Sequence, residues 1–399
     1  VMQTEILLKG VNKNIFDQLV YAAYFVEENI TDIQIQEDRL IIQYEEGVQK
    51  EKLHQDISKL IQRFSQHEYV FKENIYFENN IQTPYQSHIL QELLQKKIMK
   101  QLDLGVFTFR EPFSTLVRFF DDQIVRKIAN PFQAKHEAYP SVIHVKALDK
   151  TNHFTSFPEH IQFVTHLRED LDVIESFTNQ VKEFGGWSDN LKLNMAESVA
   201  QPTYSMNPAT CYHCYEGLQD ETLDKDGIIV TAVSKCHRYE SKNHSEFGRL
   251  LDFTMREIIF VGKPDFVIEN RKASIELLKK LVQDWELDCH LENANDPFFT
   301  NDFQVKASFQ RQQEMKYELR MMIPYLNKTI SVSSSNFHGN TFGKAFNIST
   351  GKRPVVTGCL AFGLERFVLA FLSQYGLDES KWPKKVLQDF QEWKKRYEL

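Results

Sequence analysis

Residues 236–262, CHRYESKNHSEFGRLLDFTMREIIFVG, constrain the fold more than any other stretch of the chain. An apolar segment, a polar loop and a second apolar segment read in order as strand, loop and strand, a hairpin. It carries Arg238 and Glu240 on one arm and Arg249, Phe253 and Glu257 around the other. Two residues apart, Arg238 and Glu240 share one face of a strand. A guanidinium beside a carboxylate can serve a functional site, but taken by itself it is more commonly a plain cross-strand ion pair.

Upstream, residues 4–10 (TEILLKG) read as a strand and 12–28 as a helix. DIQIQ and LIIQY alternate around Glu37-Asp38-Arg39 as a hairpin, and a second helix covers about 50–64. This predicts a small α+β domain over residues 1–80, ending in the polar stretch from Asn79-Asn80 to Tyr85, and a main domain over 81–399. A helix at about 87–100 leads into it. Phe113, Leu116, Val117, Phe120, Ile124 and Ile128 then fall on one helical face that stops before Pro131. A strand-like EAYPSVIHV follows. Apolar runs at 228–234, 256–262, 318–325 and 329–335 read as strands, and helices are expected at about 160–183, 265–284 and 359–374. The fold class is α/β (α+β), with a largely antiparallel sheet flanked by helices. No G-x-x-x-x-G-K-[ST] loop and no G-x-G-x-x-G after a strand occurs, so a nucleotide site of the P-loop or Rossmann kind is excluded.

Composition removes other classes. The 399 residues suffice for one large domain and a smaller one, and no apolar run approaches the roughly 18 residues of a membrane span. The start, VMQTEILLKGVNKN, lacks the basic-apolar-small pattern of a secretion signal, and a cytoplasmic address is expected. Five cysteines, two of them in TCYHCYE, fit a reducing compartment with free or metal-binding thiols. The net charge of −8, with basic residues clustering only briefly, as at Lys384-Lys385 and Lys394-Lys395-Arg396, counts against tRNA as a partner.

A second stretch, TGCLAFGLERFVLAFLSQYG (357–376), sets a glycine turn ahead of an apolar helix with one arginine, Arg366. A buried arginine needs a partner, and its neighbour Glu365 is the nearest candidate in sequence. Together the two stretches resemble the class II aminoacyl-tRNA synthetases. Arg-x-Glu, a variable loop and Arg-x-x-x-Phe-x-x-x-Glu resemble motif 2, and Gly363-Leu364-Glu365-Arg366 resembles motif 3. The helix at 113–128 with the strand around Pro140 resembles motif 1, which in that family builds a homodimer interface.

The resemblance implies roles. Arg238 would grip the ATP α-phosphate and the amino acid carboxylate, and Glu240 would accept from the adenine amino group. Arg249 would hold the γ-phosphate, Phe253 would stack on adenine, and Arg366 would cover its other face. Arg238 and Arg366 are thus the expected catalytic residues. Cys211, Glu257 and Cys359 coincide with the zinc ligands of one branch, the methanogen-type seryl-tRNA synthetases and the amino acid:[carrier protein] ligases. Three protein ligands leave one position open, which in this branch takes the substrate's α-amine. A rival closed site of Cys211, Cys214, Cys236 and His237 has C-x-x-C spacing in its first pair but an adjacent second pair, awkward for one metal. Cys214 and Cys289 read as ordinary thiols.

NDPFF (295–299) with MKYELRMMIPY (315–325), and SSNFHGNTFGKAF (334–346), resemble segments of the carrier-protein ligases. The resemblance spans roughly residues 105–375. It implies activation of a small amino acid by ATP and transfer to the phosphopantetheine thiol of a carrier protein. An atypical seryl-tRNA synthetase and a non-catalytic amino-acid-binding paralogue are the alternatives. One departure stands out: the strand before SSNFHG reads TISVS, so Ser331 occupies the place of the family's acidic Mg²⁺ residue. Either Glu318 or another group substitutes, or the ATP chemistry is weakened.

Overall fold

The alternation in DIQIQ and LIIQY is realised in the computed structural model, which describes residues 1–65, 74–188, 195–245, 248–294 and 315–397. The N-terminal unit runs β1 (Met2–Leu7), α1 (Phe16–Ala23), β2 (Ile30–Gln36), β3 (Arg39–Tyr44), α2 (Lys50–Ser65). β3 lies between β1 and β2, antiparallel to both. Leu40, Ile42 and Tyr44 alternate onto one face of β3 and form a core with Leu19 of α1 and Leu53 and Ile57 of α2. The expected helix at 12–28 is shorter, because a 3₁₀ turn over Lys13–Ile15 precedes it and successive turns end it after Ala23.

The main layer comprises β4 (Ile75–Asn79), α3 (Ile89–Gln95), β5 (Met99–Asp103), β6 (Val106–Phe109), α4 (Phe113–Ile124), β7 (Lys135–Ala138), α5 (Leu171–Glu183), α6 (Cys211–Gly217), β8 (Gly227–His237), β9 (Asp252–Gly262), α7 (Pro264–Asp284), β10 (Cys289–Asn293), β11 (Lys316–Ile323), β12 (Lys328–Gly339), β13 (Val356–Gly363), α8 (Leu364–Tyr375) and α9 (Lys384–Arg396). Among the described residues its sheet has eight strands in the order β4-β10-β11-β12-β13-β9-β8-β7. All neighbours are antiparallel except β8 and β7. β4 pairs with β10, so this sheet begins at residue 75, ahead of the boundary expected near 80.

Several expected helices are trimmed. The helix at 87–100 is confined to Ile89–Gln95, because Lys97 adopts φ +57° and Met99 starts the β5–β6 hairpin. Of 160–183, only Leu171–Glu183 is α-helical, started by Asp170 accepting from the amides of Asp172 and Val173. EAYPSVIHV falls partly in β7 and partly in a separate strand, Val142–His144, with Pro140 between them. The α4 helix passes through a π turn into a 3₁₀ turn over Asn130–Phe132, so Pro131 sits in a turn where its missing N–H costs nothing. The largest correction is at 359–374. Residues 356–363 are strand and the helix starts at Leu364. A short apolar run cannot be assigned by period alone, and VTGCLAFG is buried between β9 and β12 in mid-sheet.

α4, α7 and α8 cover one side of the sheet. Phe120 of α4 sits 5.3 Å from Trp285, 5.1 Å from Phe367 and 5.0 Å from Phe371, ring centre to ring centre. Each such side chain contributes about 1.5–3 kcal/mol by leaving water. α4 is also tied to β9 by a two-pronged ion pair, Arg256 Nε and Nη2 to Asp121 at 2.6 and 2.7 Å. No described helix is long and apolar enough to cross a membrane.

Candidate active site

β8 and β9 pair without interruption from Gly227↔Gly262 to His237↔Asp252, which fixes what their connecting loop presents. Arg238 and Glu240, expected within the strand, lie just past its end. The Arg238 amide still bonds the Leu251 carbonyl at 3.1 Å, while Tyr239 N bonds His160 O at 3.1 Å and draws the loop away. Arg238 and Glu240 nevertheless converge with the other expected residues. The Arg238 guanidinium lies 5.4 Å from the Phe253 ring centre, and its Nε donates to Pro208 O at 3.1 Å. Arg249 Nη1 donates to Glu240 Oε2 at 2.5 Å. Arg366, from the first turn of α8, donates to Gly248 O and Ser331 O, each at 3.0 Å. Gly248 adopts φ +77°, and a Cβ there would press against Arg366, so glycine lets the loop approach.

Glu365 does not pair with Arg366. Adjacent helical residues point apart, and Glu365 turns inward to accept from Thr254 N at 2.7 Å and Thr254 Oγ1 at 2.6 Å, with Lys235 Nζ at 3.4 Å. It clamps β9 to the start of α8.

The electrostatics are those of a site built for charge. Burial alone would raise the Glu240 carboxyl, but Arg249 first, then His160, Arg238 and Arg366, outweigh it and hold it below the usual range. Burial, with the charge of Arg249, pulls Arg366 down to about 10. It stays charged at neutral pH.

Behind this cluster, Cys211, Glu257 and Cys359 gather. Glu257 opposes Ala361 and Ile259 opposes Cys359, so Glu257 and Cys359 occupy one face of adjacent strands. Cys211 arrives at the start of α6, its amide donating to Glu257 Oε1 at 3.3 Å. One ligand atom of each lies within 4.8 Å of the others, and all three residues are buried. Glu257 Oε2 is buried without a hydrogen-bond partner. Asn336 of β12 donates to Cys359 Sγ at 3.5 Å. The Cys211 thiol is pushed up by its bond with Cys359, by burial and by Glu257, and burial raises Glu257. Three groups that repel one another when ionised, with one carboxylate oxygen unsatisfied, fit a bound dication with one position open. Phe253 and Glu257, four apart on β9, share a face, and Arg238 pulls on the Glu257 carboxyl. The rival set does not assemble among the described residues: Cys236 Sγ meets Thr210 Oγ1 at 3.5 Å and His237 Nε2 meets Asp252 at 3.3 Å.

Glu318 of β11 pairs with Lys316 Nζ at 3.1 Å and Arg320 Nη1 at 3.5 Å. Ser331 offers its carbonyl to Arg366. NDPFF lies outside the described residues.

Sequence reasoning missed Glu159. Its side chain is only 4% exposed, neither carboxylate oxygen has a hydrogen-bond partner, and His160 Nε2 is 3.7 Å away. Burial, then Glu240, raises it to about 7. No period marks it, because it sits in a single 3₁₀ turn, Pro158–His160.

A sheet of this order with arginines at a β-hairpin loop and at a helix start defines a class II synthetase core. The family model for the tRNA synthetase class II core domain (G, H, P, S and T) matches residues 196–375. Amino acid--[acyl-carrier-protein] ligase 1 of Bradyrhizobium diazoefficiens is 30% identical over 273 residues, 66% of this chain and 81% of that protein. The type-2 serine--tRNA ligase of Methanococcus aeolicus is 26% identical over 290 residues, 71% of this chain and 55% of the relative. The chain thus spans about half the length of the type-2 serine--tRNA ligases it matches. The crystal structure of M. kandleri SerRS with A. aeolicus tRNASec superposes with a TM-score of 0.71 at 18% identity, covering 98% of this chain and 77% of that one. The chain belongs to the class II aminoacyl-tRNA synthetase family, and its fold is similar to that of a seryl-tRNA synthetase.

Proposed function

We propose that this protein activates a small amino acid with ATP as the aminoacyl-adenylate and passes the acyl group to the phosphopantetheine thiol of a carrier protein. The observation that carries the reading is the Cys211–Glu257–Cys359 cluster on the same face of the sheet as Phe253, beside Arg238. Those three residues would hold Zn²⁺, which when bound supplies an electron-pair acceptor for a free α-amine. Arg238 then aligns the substrate carboxylate on the α-phosphorus. As its oxygen bonds to phosphorus and pyrophosphate leaves, the guanidinium offsets the charge gathering on the phosphoryl oxygens. Phe253 and Arg366 flank adenine, Glu240 accepts from its amino group, and Arg249 takes the γ-phosphate, exchanging Glu240 for a phosphate oxygen. Glu318 and Ser331 are the groups available for the Mg²⁺ that accompanies ATP. In the second half-reaction the carrier thiol attacks the acyl carbon and AMP departs, so no side chain serves as nucleophile. The active form is a homodimer, as in the family, built around α4.

Similarity to the Bradyrhizobium carrier-protein ligase over 81% of its length supports this acceptor, as does the charge of −8, which disfavours a polyanion. A tRNA acceptor is the second reading, favoured by the structural likeness to the archaeal SerRS over 98% of this chain. The test is transfer of radiolabelled amino acid from ATP-activated protein to phosphopantetheinylated carrier or to a tRNA pool. Thioester on the carrier alone supports the proposal; label on tRNA alone replaces it with the second reading.

A further inference from the structure

The N-terminal unit meets the main layer at the loop between β8 and β9, and one side chain of its first helix reaches the arginine cluster. Tyr21 of α1 is only 5% exposed. Its ring centre lies 4.9 Å from the Arg249 guanidinium and its Oη 3.5 Å from His160 Nε2. The loop grips the unit in return. Asn243 Nδ2 donates to the Tyr21 carbonyl at 3.2 Å, and Lys242 Nζ donates to the carbonyls of Glu28, at 2.7 Å, and Ile30. On another side the loop rests on the β5–β6 turn, where Leu251 N bonds Gly105 O at 2.9 Å. Gly105 has φ +72°, and a Cβ there would collide with His244 of the loop.

An arginine beside a polar loop has many rotamers, and ordering it on binding an anion costs entropy. A guanidinium stacked on a ring uses its face and keeps its N–H edge for an anion. Here Arg249 Cζ lies over the Tyr21 ring while Nη1 meets Glu240. A phosphate oxygen that takes the place of Glu240 leaves the stack intact.

We infer that Tyr21 is a positioning residue for Arg249, so that residues 1–65 form part of the nucleotide site and favour nucleotides with a terminal phosphate over AMP. This rests on the reading of Arg249 as the γ-phosphate ligand. A tyrosine that merely filled the interface would affect all nucleotides alike.

The test is calorimetric binding of ATP and of AMP to the full chain, in wild type, Tyr21→Ala, Tyr21→Leu, Tyr21→Phe and Arg249→Ala. Tyr21→Ala is expected to weaken ATP by about 10-fold or more, the worth of a desolvated cation–π contact, and AMP less than about 2-fold. Tyr21→Leu, which keeps apolar bulk without a π face, shows the same split and carries the test if the alanine variant fails to fold. Tyr21→Phe retains ATP binding. Arg249→Ala reproduces the ATP-specific loss. If Arg249→Ala leaves the ATP/AMP ratio unchanged, the phosphate reading of Arg249 falls and this inference with it. If Arg249→Ala shifts the ratio while Tyr21→Leu does not, or weakens both nucleotides equally, the positioning role alone is overturned.

Discussion

Replacing Glu365 by alanine removes the clamp between β9 and α8 without touching a residue assigned to substrate. Two hydrogen bonds from Thr254, at 2.7 and 2.6 Å, end on this carboxylate, and its side chain is only 5% exposed. Bonds to a charged group contribute about 1.5–3 kcal/mol each, some 3–6 kcal/mol in sum. Sparing the carboxylate its desolvation offsets part of this. The Lys235 contact adds little, because that lysine is half exposed and also reaches Asp252 at 2.8 Å. The net loss expected is about 3 kcal/mol, within the range for breaking a buried charged network. Glu365→Gln keeps the shape and one acceptor and should lose about half as much. Thermal unfolding at fixed pH reads the effect: the midpoint falls by roughly 5 °C or more for alanine and less for glutamine. Glu276→Ala, on an exposed i,i+3 pair with Lys279, is the control and stays within about 1 °C. If Glu365→Ala unfolds at the same temperature as that control, the clamp does not stabilise the fold and the reasoning is wrong.

Asp121→Ala leaves Arg256 in the interior with, among the described residues, only Thr231 Oγ1 at 3.3 Å, and should cost about 3 kcal/mol or more, read by chemical denaturation. Glu159 has a folded pKa of about 7, raised from 4.5 by burial and by Glu240. The native state therefore holds a proton that the unfolded chain has lost between about pH 4.5 and 7. Its contribution is fully present below that window and declines as pH rises through it. Glu159→Gln should flatten this decline in a series of unfolding curves; an unchanged slope contradicts the assignment, His160 and Tyr21 being the other groups facing it. Asn336→Ala, which removes the donor to Cys359 Sγ, should lower zinc affinity by about 10- to 100-fold in a chelator competition while the fold persists.

Much of the site was legible because its chemistry lies in local spacing. Arg238, Glu240, Arg249 and Phe253 are close in sequence on one hairpin, whereas Cys211, Glu257 and Cys359 were marked by the family resemblance alone, and only the sheet register shows Glu257 and Cys359 on one face. What escaped was decided by contacts distant in sequence. Residues 359–363 look helical until β9 and β12 flank them as part of a strand. Glu365 looks like the partner of Arg366 until Thr254, 111 residues away, takes it. Tyr21 falls within the helix expected at 12–28 with nothing local to mark it, and only docking of that helix sets it against Arg249. β4 carries no signal that it pairs with β10, more than two hundred residues later. Periodicity reports which face of an element is buried, not against what.

Amino-acid-dependent exchange of pyrophosphate into ATP, with metal content measured on the same samples, tests the central claim most directly. Wild type loaded with zinc should hold about one ion per chain, as expected of a catalytic site, and exchange with one small amino acid. Cys359→Ala should lose both the ion and the exchange. Zinc bound without exchange for any amino acid would contradict the activation reading and point to a binding protein; undiminished exchange in Cys359→Ala would contradict the role given to the Cys211–Glu257–Cys359 cluster.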